Sequence, residues 1–380
     1  MSFVHNPSLK GASTVDVLRL IRSENVGPMT FFSLVKYAGS VAKALEIAPE
    51  LSRQGGRKKP ITIASKSSAE KELEALTKFG ASLVVFGEAE YPKLLQHIPD
   101  APPIITVRGQ KHLLSSLPLF AIVGARNAST NGAMFAGTLA KQLGDAGYGC
   151  VSGLARGIDG AVHRATLATG TVAVIAGGID SIYPPEHASL YAEIAERGII
   201  VSEQAFGSTP VARSFPARNR LIAGMSMGTL VVEASLKSGS LITAEYASDY
   251  GREVFAVPGS PMDPRCLGTN HLIKTGAVMV ENVNDILQSL AHQTDRLPFG
   301  EAEASAYRPH TTPTDDELAS ARQQLRSALS PSPTRTEELL ASTGISPHVM
   351  LALLLEMELA GTIERLPGAK IALVAGSIAA

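Results

Sequence analysis

The feature of this sequence that constrains its fold most is a series of short apolar runs, each followed by a turn and a segment of helix length. The runs cover residues 120–124, 150–152, 171–176, 199–202, 229–232 and 254–257. Short apolar runs that alternate with helices of ten or more residues are typical of buried parallel strands. We therefore predict a doubly wound α/β domain over residues 68–290.

The chain on either side of this α/β domain divides into smaller parts. Apolar residues recur at helical spacing on both sides of Val26-Gly27-Pro28, so residues 1–60 are predicted to form a helical domain. Residues 316–380 are predicted to form three helices and a terminal hairpin around Pro367-Gly368, which is typical of a winged helix. The intervening residues 291–315 lack periodicity and contain several prolines, which indicates a linker.

Basic side chains stand beside Gly or Ser just after several of the apolar runs. The loops that follow parallel strands emerge at one edge of a sheet, so we expect these groups to lie together. Arginine and lysine side chains and the free N–H groups of helix starts all bind phosphate, which predicts a site for a chain of phosphates. The candidate binding residues are Arg126, Ser129, Gly132, Arg156, Arg218, Arg220, Lys237, Ser238, Gly239 and Ser240.

Each candidate also has a structural alternative. The arginines could form internal ion pairs with Asp159, Glu203 or Glu233, although the convergence of five cations on one edge favours a binding role. Three aromatic residues in nearby loops could stack on unpaired bases or simply pack inside the protein. They are Tyr183, Phe206 and Phe215.

Composition and motifs exclude several classes of protein. The sequence contains 34 Lys and Arg against 35 Asp and Glu, so any polyanion site must be a local patch. The two cysteines form no CxxC pair, which argues against a structural metal site. Neither a G-x-G-x-x-G turn nor a P-loop is present. We therefore predict no catalytic residues, no metal and no cofactor.

Targeting signals are also missing from the sequence. Residues 1–10 contain no apolar segment of the kind found in signal peptides, and no stretch reaches 18 apolar residues. A cytoplasmic protein with no membrane partner is the expectation.

Five motifs of this chain resemble those of the bacterial DprA/Smf family of DNA processing proteins. They are Val123-Gly124-Ala125-Arg126, Ser152-Gly153-Leu154-Ala155-Arg156-Gly157-Ile158-Asp159, Ala176-Gly177-Gly178-Ile179-Asp180, Phe215-Pro216-Ala217-Arg218-Asn219-Arg220 and Val257-Pro258-Gly259-Ser260. The resemblance implies an extended Rossmann-like sheet domain that binds DNA. It also implies a sterile-alpha-motif-like helical domain before the sheet and a winged-helix domain after it.

The same resemblance implies a function. Members of this family bind single-stranded DNA, protect it and load the RecA recombinase on it during natural transformation, and they do so as non-catalytic homodimers. Arg126, Arg156 and Lys237 match basic positions of the family's DNA pocket, and Arg218 and Arg220 match its Phe-Pro-x-Arg-Asn-Arg motif. The segment Gly268-Thr269-Asn270-His271-Leu272-Ile273 is apolar at its end, and Leu272 and Ile273 are placed at the dimer interface, with a position in the core as the alternative.

An enzyme is the alternative. Residues 224–233 are similar to the Pro-Gly-Gly-x-Gly-Thr-x-x-Glu stretch of LOG-type nucleotide phosphoribohydrolases, although the Pro-Gly-Gly start is missing. In such an enzyme Glu233 would be the catalytic carboxylate; otherwise it would orient an arginine.

The two terminal domains carry weaker signals. The presumed reading helix of the winged helix, at about residues 347–359, contains no Arg or Lys, so a protein contact or regulatory role is favoured over DNA reading. Val26-Gly27-Pro28 resembles half of a helix-hairpin-helix, but Pro28 lacks the N–H that would meet a phosphate, which favours an interaction or structural role.

Overall fold

The computed structural model describes residues 6–294, 315–366 and 370–374. These residues form two compact units: unit 1 contains residues 71–294, and unit 2 contains residues 6–70 together with 315–366 and 370–374. The helices are α1 (Thr14–Ile21), α2 (Pro28–Ala38), α3 (Val41–Gln54), α4 (Lys66–Lys78), α5 (Leu113–Ser116), α6 (Thr130–Asp145), α7 (Ile158–Thr166), α8 (Ala188–Arg197), α9 (Ser214–Gly224), α10 (Gly239–Asp249), α11 (Leu267–Lys274), α12 (Val283–Thr294), α13 (Asp315–Ala328), α14 (Thr336–Thr343) and α15 (Pro347–Leu359). The strands are β1 (Ser82–Val85), β2 (Ile104–Gly109), β3 (Leu119–Val123), β4 (Gly149–Ser152), β5 (Thr171–Val174), β6 (Ile199–Ser202), β7 (Gly228–Val231), β8 (Glu253–Ala256), β9 (Val278–Met279), β10 (Thr334–Arg335), β11 (Ile363–Leu366) and β12 (Lys370–Leu373).

Unit 1 is built on one nine-stranded sheet with the order β1-β2-β6-β5-β4-β3-β7-β8-β9. Seven consecutive strands of this order, β6-β5-β4-β3-β7-β8-β9, are parallel. Strands β1 and β2 complete one edge in antiparallel pairing. The predicted α/β fold with a large parallel sheet is confirmed, and each predicted apolar run overlaps one of its strands.

The strand order reverses between β3 and β7. From β3 the chain adds β4, β5 and β6 in one direction, and from β7 it adds β8 and β9 in the other. Ligands of open α/β sheets bind in the crevice that such a reversal leaves at the carboxyl ends of the strands. The loops after β3 and β7 therefore border the expected site.

The core of unit 1 lies between this sheet and its helices. Phe120 and Ile122 of β3 pack with Leu139 of α6 and Val162 of α7 in one buried cluster. A second cluster joins β5 and β6 to α8 through Ala173 and Ile194, among others. These packed helices hold the strand ends, and the loops that leave them, in fixed positions.

Unit 2 contains an N-terminal helical domain and a winged helix, as predicted. Helices α1, α2 and α3 form the former, with Pro28 at the first position of α2. Helices α13, α14 and α15 surround a shared core beside a sheet of order β10-β12-β11. The predicted hairpin corresponds to β11 and β12, and its Pro367-Gly368 turn lies outside the described residues, as do residues 295–314 of the predicted linker. Over the described part of the chain, no helix is both long and apolar enough to cross a membrane.

Candidate nucleic-acid interface

The loops after β3 and β4 approach each other closely at the carboxyl edge of the sheet. Gly157, in the loop after β4, has φ +72°, and a Cβ there would lie 2.7 Å from the carbonyl oxygen of Arg126. The N–H of Ile158 donates to the carbonyl of Ala125 at 3.3 Å. Only glycine combines this backbone conformation with this lack of space, so Gly157 holds Arg126 and Arg156 at neighbouring points of the edge.

Exposed cations and aromatic rings lie side by side at this edge. The Arg126 guanidinium is 5.0 Å from the centroid of the Phe215 ring, and the Phe215 and Tyr183 ring centroids are 5.4 Å apart. Tyr183 is 48% exposed, and Arg126 and Lys237 are exposed as well. We call Arg126, Arg156, Tyr183, Phe215 and Lys237 the rim.

The cations of the rim differ in their internal partners. Arg156 forms an exposed ion pair with Glu186. Within the described residues no carboxylate forms an ion pair with Arg126 or Lys237. These two cations are therefore available to an external anion, whereas Arg156 must exchange Glu186 for one.

Helix α10 begins beside Lys237 with an open N-terminus. The Ser238 hydroxyl caps it by accepting from the N–H of Ser240, and the two hydroxyls lie 2.7 Å apart. Among the described residues, no atom other than those of the two neighbouring residues and the backbone of α10 lies within 4 Å of the position that a Cβ on Gly239 would take. The surface in front of this helix start is thus open to an anion.

The start of α6 is occupied from within the protein. The carboxylate of Glu233 accepts from the N–H of Ser129 at 2.9 Å and from its hydroxyl at 2.6 Å. A Cβ on Gly132 would lie 2.5 Å from that carboxylate, and the N–H of Gly132 donates to the Ser129 hydroxyl. An internal anion therefore stands where Ser129 and Gly132 were predicted to receive a phosphate, and their contact with DNA stays a prediction.

Arg218 lies behind the rim. Its Nη1 donates to the carbonyls of Gly153, at 2.6 Å, and Val174, so it ties the ends of β4 and β5 together. Burial lowers the pKa of Arg218 to about 10, although the nearby Asp159 acts in the opposite direction. These contacts favour a structural role for Arg218, for which DNA contact stays a prediction.

Arg220, like Arg218, is buried, with 7% of its surface exposed. Its Nη2 donates to both carboxylate oxygens of Glu203 at 2.5 Å, and its Nη1 donates to the carbonyl of Asp100 at 2.7 Å. Burial alone would lower the pKa of Arg220, but the carboxylates of Glu203 and Asp100 raise it above its ordinary value. Arg220 thus has the internal ion pair that sequence analysis gave as its alternative, and its contact with DNA also stays a prediction.

The remaining residues of interest are Asn219, Leu272, Ile273 and Arg213. Asn219 connects α9 to the start of α10, because its amide donates to the carbonyl of Gly239 at 3.1 Å. The predicted interface residues Leu272 and Ile273 are half-buried in α11. Arg213, which was not among the predicted binding residues, is a further exposed cation two residues before Phe215.

Three family models match the chain. "DNA recombination-mediator protein A" matches residues 82–291, "DprA-like N-terminal HHH domain" matches residues 11–75, and "DprA winged helix domain" matches residues 309–369. The helical domain predicted at the N-terminus is thus described by its family model as an HHH domain, where the sequence resemblance implied a sterile-alpha-motif-like one.

Known proteins resemble the chain over most of its length. Protein Smf of Escherichia coli is 38% identical over 281 residues, which are 73% of this chain and 74% of that protein. The X-ray structure of DNA processing protein A from Streptococcus pneumoniae covers 73% of this chain and 98% of its own, with a TM-score of 0.61 and 32% identity. The Helicobacter pylori protein, whose structure concerns its single-stranded DNA binding mode, covers 56% of this chain and 96% of its own, with a TM-score of 0.52 and 30% identity. The motifs, the fold and these relatives agree, and the chain belongs to the DprA/Smf family of DNA processing proteins.

Proposed function

We propose that the protein binds single-stranded DNA along the rim and leaves the strand chemically unchanged. The observation that carries the proposal is the contact series from Arg126 through Phe215 to the exposed Tyr183. Cations bind phosphates whether or not a strand is paired, whereas aromatic rings stack on bases that have left a duplex. The Helicobacter pylori relative, whose structure concerns single-stranded DNA, supports the same assignment.

The candidate residues divide into two groups under this proposal. Arg126, Arg156, Lys237 and the Ser238-Gly239-Ser240 turn meet phosphates, and Phe215 and Tyr183 stack on bases. Arg218, Arg220, Ser129 and Gly132 hold the loops that carry the first group. The residues of the second group already use their hydrogen-bond donors inside the protein, whereas those of the first group leave donors or rings exposed.

The alternative, a nucleotide phosphoribohydrolase, depends on Glu233 as a catalytic carboxylate. Glu233 is 7% exposed, and Ser129 donates to both of its carboxylate oxygens. A carboxylate engaged in this way caps a helix, which favours a DNA-binding protein over an enzyme. Incubation with nucleoside monophosphates distinguishes the two, because only the enzyme would release free base.

The proposed role extends to a partner. A protein that binds a strand without altering it must pass it on, and the matching family model is described as a recombination mediator. We propose that the partner is the RecA recombinase, that the bound strand is protected until it is passed on, and that this occurs in the cytoplasm during natural transformation. We also propose the division into domains at residues 1–60, 68–290 and 316–380, with a linker at 291–315.

We expect at least tenfold tighter binding to a 30-nucleotide single strand than to a blunt duplex of the same sequence, because the rings need unpaired bases. Fluorescence anisotropy at several salt concentrations measures this, and a strand that contacts Z phosphates gives a log–log slope of about −0.7Z. A strand of abasic sites is the matched control, since it keeps the phosphates and loses the bases; it should bind more weakly. Equal affinity for single strand and duplex would contradict the proposal.

A homodimer is the second expectation. Light scattering of the intact protein should give about twice the monomer mass of 39.8 kDa. The Leu272→Asp variant should instead give the monomer mass, because a buried charge opposes association. The Lys141→Asp variant alters an exposed position of α6 and should remain dimeric. A monomer mass for the unmodified protein at micromolar concentration would refute this proposal.

A further inference from the structure

Helix α15 of the winged helix is apolar on all sides. Its sequence, PHVMLALLLEMEL, contains nine buried residues among thirteen. A surface helix is normally apolar on one side only, and a helix that is apolar all round is covered on several sides. The core of the winged helix accounts for one side of α15, and Leu351 is 50% exposed on another, so a further element covers the remaining buried residues.

The buried residues of α15 separate into two faces. Val349, Met350, Leu353, Leu354 and Met357 belong to the winged-helix core. A second set lies outside that cluster and is also buried, at positions i, i+3, i+4 and i+7, which form one stripe on a helix. This stripe consists of Ala352, Leu355, Glu356 and Leu359.

The N-terminal helices of the same unit cover the stripe. Helices α3 and α2 pack against α15. Just after α3, a Cβ added to Gly55 would lie 2.5 Å from the backbone carbonyl carbon of Glu356 and 2.9 Å from the Cβ of Ala360. The Asn25 amide, between α1 and α2, donates to the carbonyl of Leu359 at 3.1 Å. The absence of a side chain at Gly55 is what allows this approach.

Polar groups at the same contact are satisfied. Glu356 is 1% exposed, and Arg322 of α13 pairs with it at 2.7 Å. Arg326, one turn along α13, donates to the carbonyl of Gly55 at 3.4 Å. A buried carboxylate that lacked a cation would oppose docking, so the Arg322 pair removes the main cost of covering this stripe.

We infer that α15 is a docking helix whose partner is the chain's own N-terminal helical domain, residues 14–54. A winged helix reads a duplex by inserting an exposed helix face into the major groove. In this protein the second face of α15 is covered by α2 and α3, so the two terminal domains form one unit and α15 does not read DNA in the folded chain. The lack of Arg and Lys in α15 agrees with this assignment.

Hydrogen exchange in the full-length chain tests the docking. Gly55→Leu places a side chain against the Glu356 carbonyl and should raise amide exchange over residues 352–359 at least tenfold. Gly27→Leu, which has open space around its Cβ, should leave exchange there unchanged. Unchanged exchange in Gly55→Leu would show that the contact does not form in solution.

Discussion

Replacing both Arg126 and Lys237 by Ala is expected to weaken the binding of single-stranded DNA about 100-fold at low salt. Each exposed cation contributes one charge-assisted contact of about 1.5 kcal/mol, and the sum of about 3 kcal/mol corresponds to that factor. The log–log salt slope should become shallower by about 1.4, because two fewer phosphates are neutralised. Anisotropy titrations over a salt series measure both quantities.

The control variant removes the same charge from the opposite edge of the sheet. Lys141 lies in the last turns of α6 and Arg197 ends α8, and both are exposed. Helices that follow parallel strands end near the amino edge, so Lys141→Ala with Arg197→Ala should keep affinity within threefold and leave the slope unchanged. Equal losses in the two variants would mean that net charge, and not the rim, governs binding.

The same rim variant tests transfer of the strand to RecA. If RecA and the strand occupy different surfaces, the variant should retain RecA in a pull-down with purified proteins. It should fail to stimulate strand exchange on DNA coated by single-strand binding protein. Loss of RecA binding together with DNA binding would show that the two surfaces overlap, which contradicts the proposed transfer.

Replacing Arg220 by Met is expected to lower the free energy of unfolding by about 2–3 kcal/mol, because it removes a buried cation that pairs with two partly buried carboxylates. Arg220 bonds both oxygens of Glu203 and the backbone of Asp100, and the side chain of Asp100 lies 3.4 Å from its Nε. Urea denaturation followed by circular dichroism measures the change. DNA affinity, measured below the unfolding transition, should stay within threefold of the unmodified protein.

Arg213→Met is the matched control for Arg220, because Arg213 precedes the same helix and is exposed. Its free energy of unfolding should change by no more than about 0.5 kcal/mol. Arg220→Lys keeps the charge but loses the two-point contact with Glu203. Its free energy of unfolding should therefore lie between that of Arg220→Met and that of the unmodified protein. Full stability of Arg220→Met with a large loss of DNA affinity would make Arg220 a DNA contact, as the sequence predicted.

Local patterns in the sequence determined the α/β fold and placed the proposed rim at one edge of the sheet. Strands such as β3 and β7 are short apolar runs that are buried wherever the sheet places them, so they can be identified without knowledge of their partners. The loops after parallel strands share one edge, so the sequence also placed Arg126 and Lys237 near each other. The exposure of both cations in the structure agrees with the binding role predicted for them.

Only the tertiary structure distinguished cations that face solvent from those that serve the fold. Arg220 and its acceptor Asp100 are 120 residues apart in sequence, and Ser129 and Glu233 are 104 apart. No local pattern reports such pairs, because ion pairing and helix capping depend on which loops the sheet order brings together. For α15 the lack of Arg and Lys favoured a protein contact, but the N-terminal helices that pack against it lie some 300 residues earlier and were identified only from the tertiary structure.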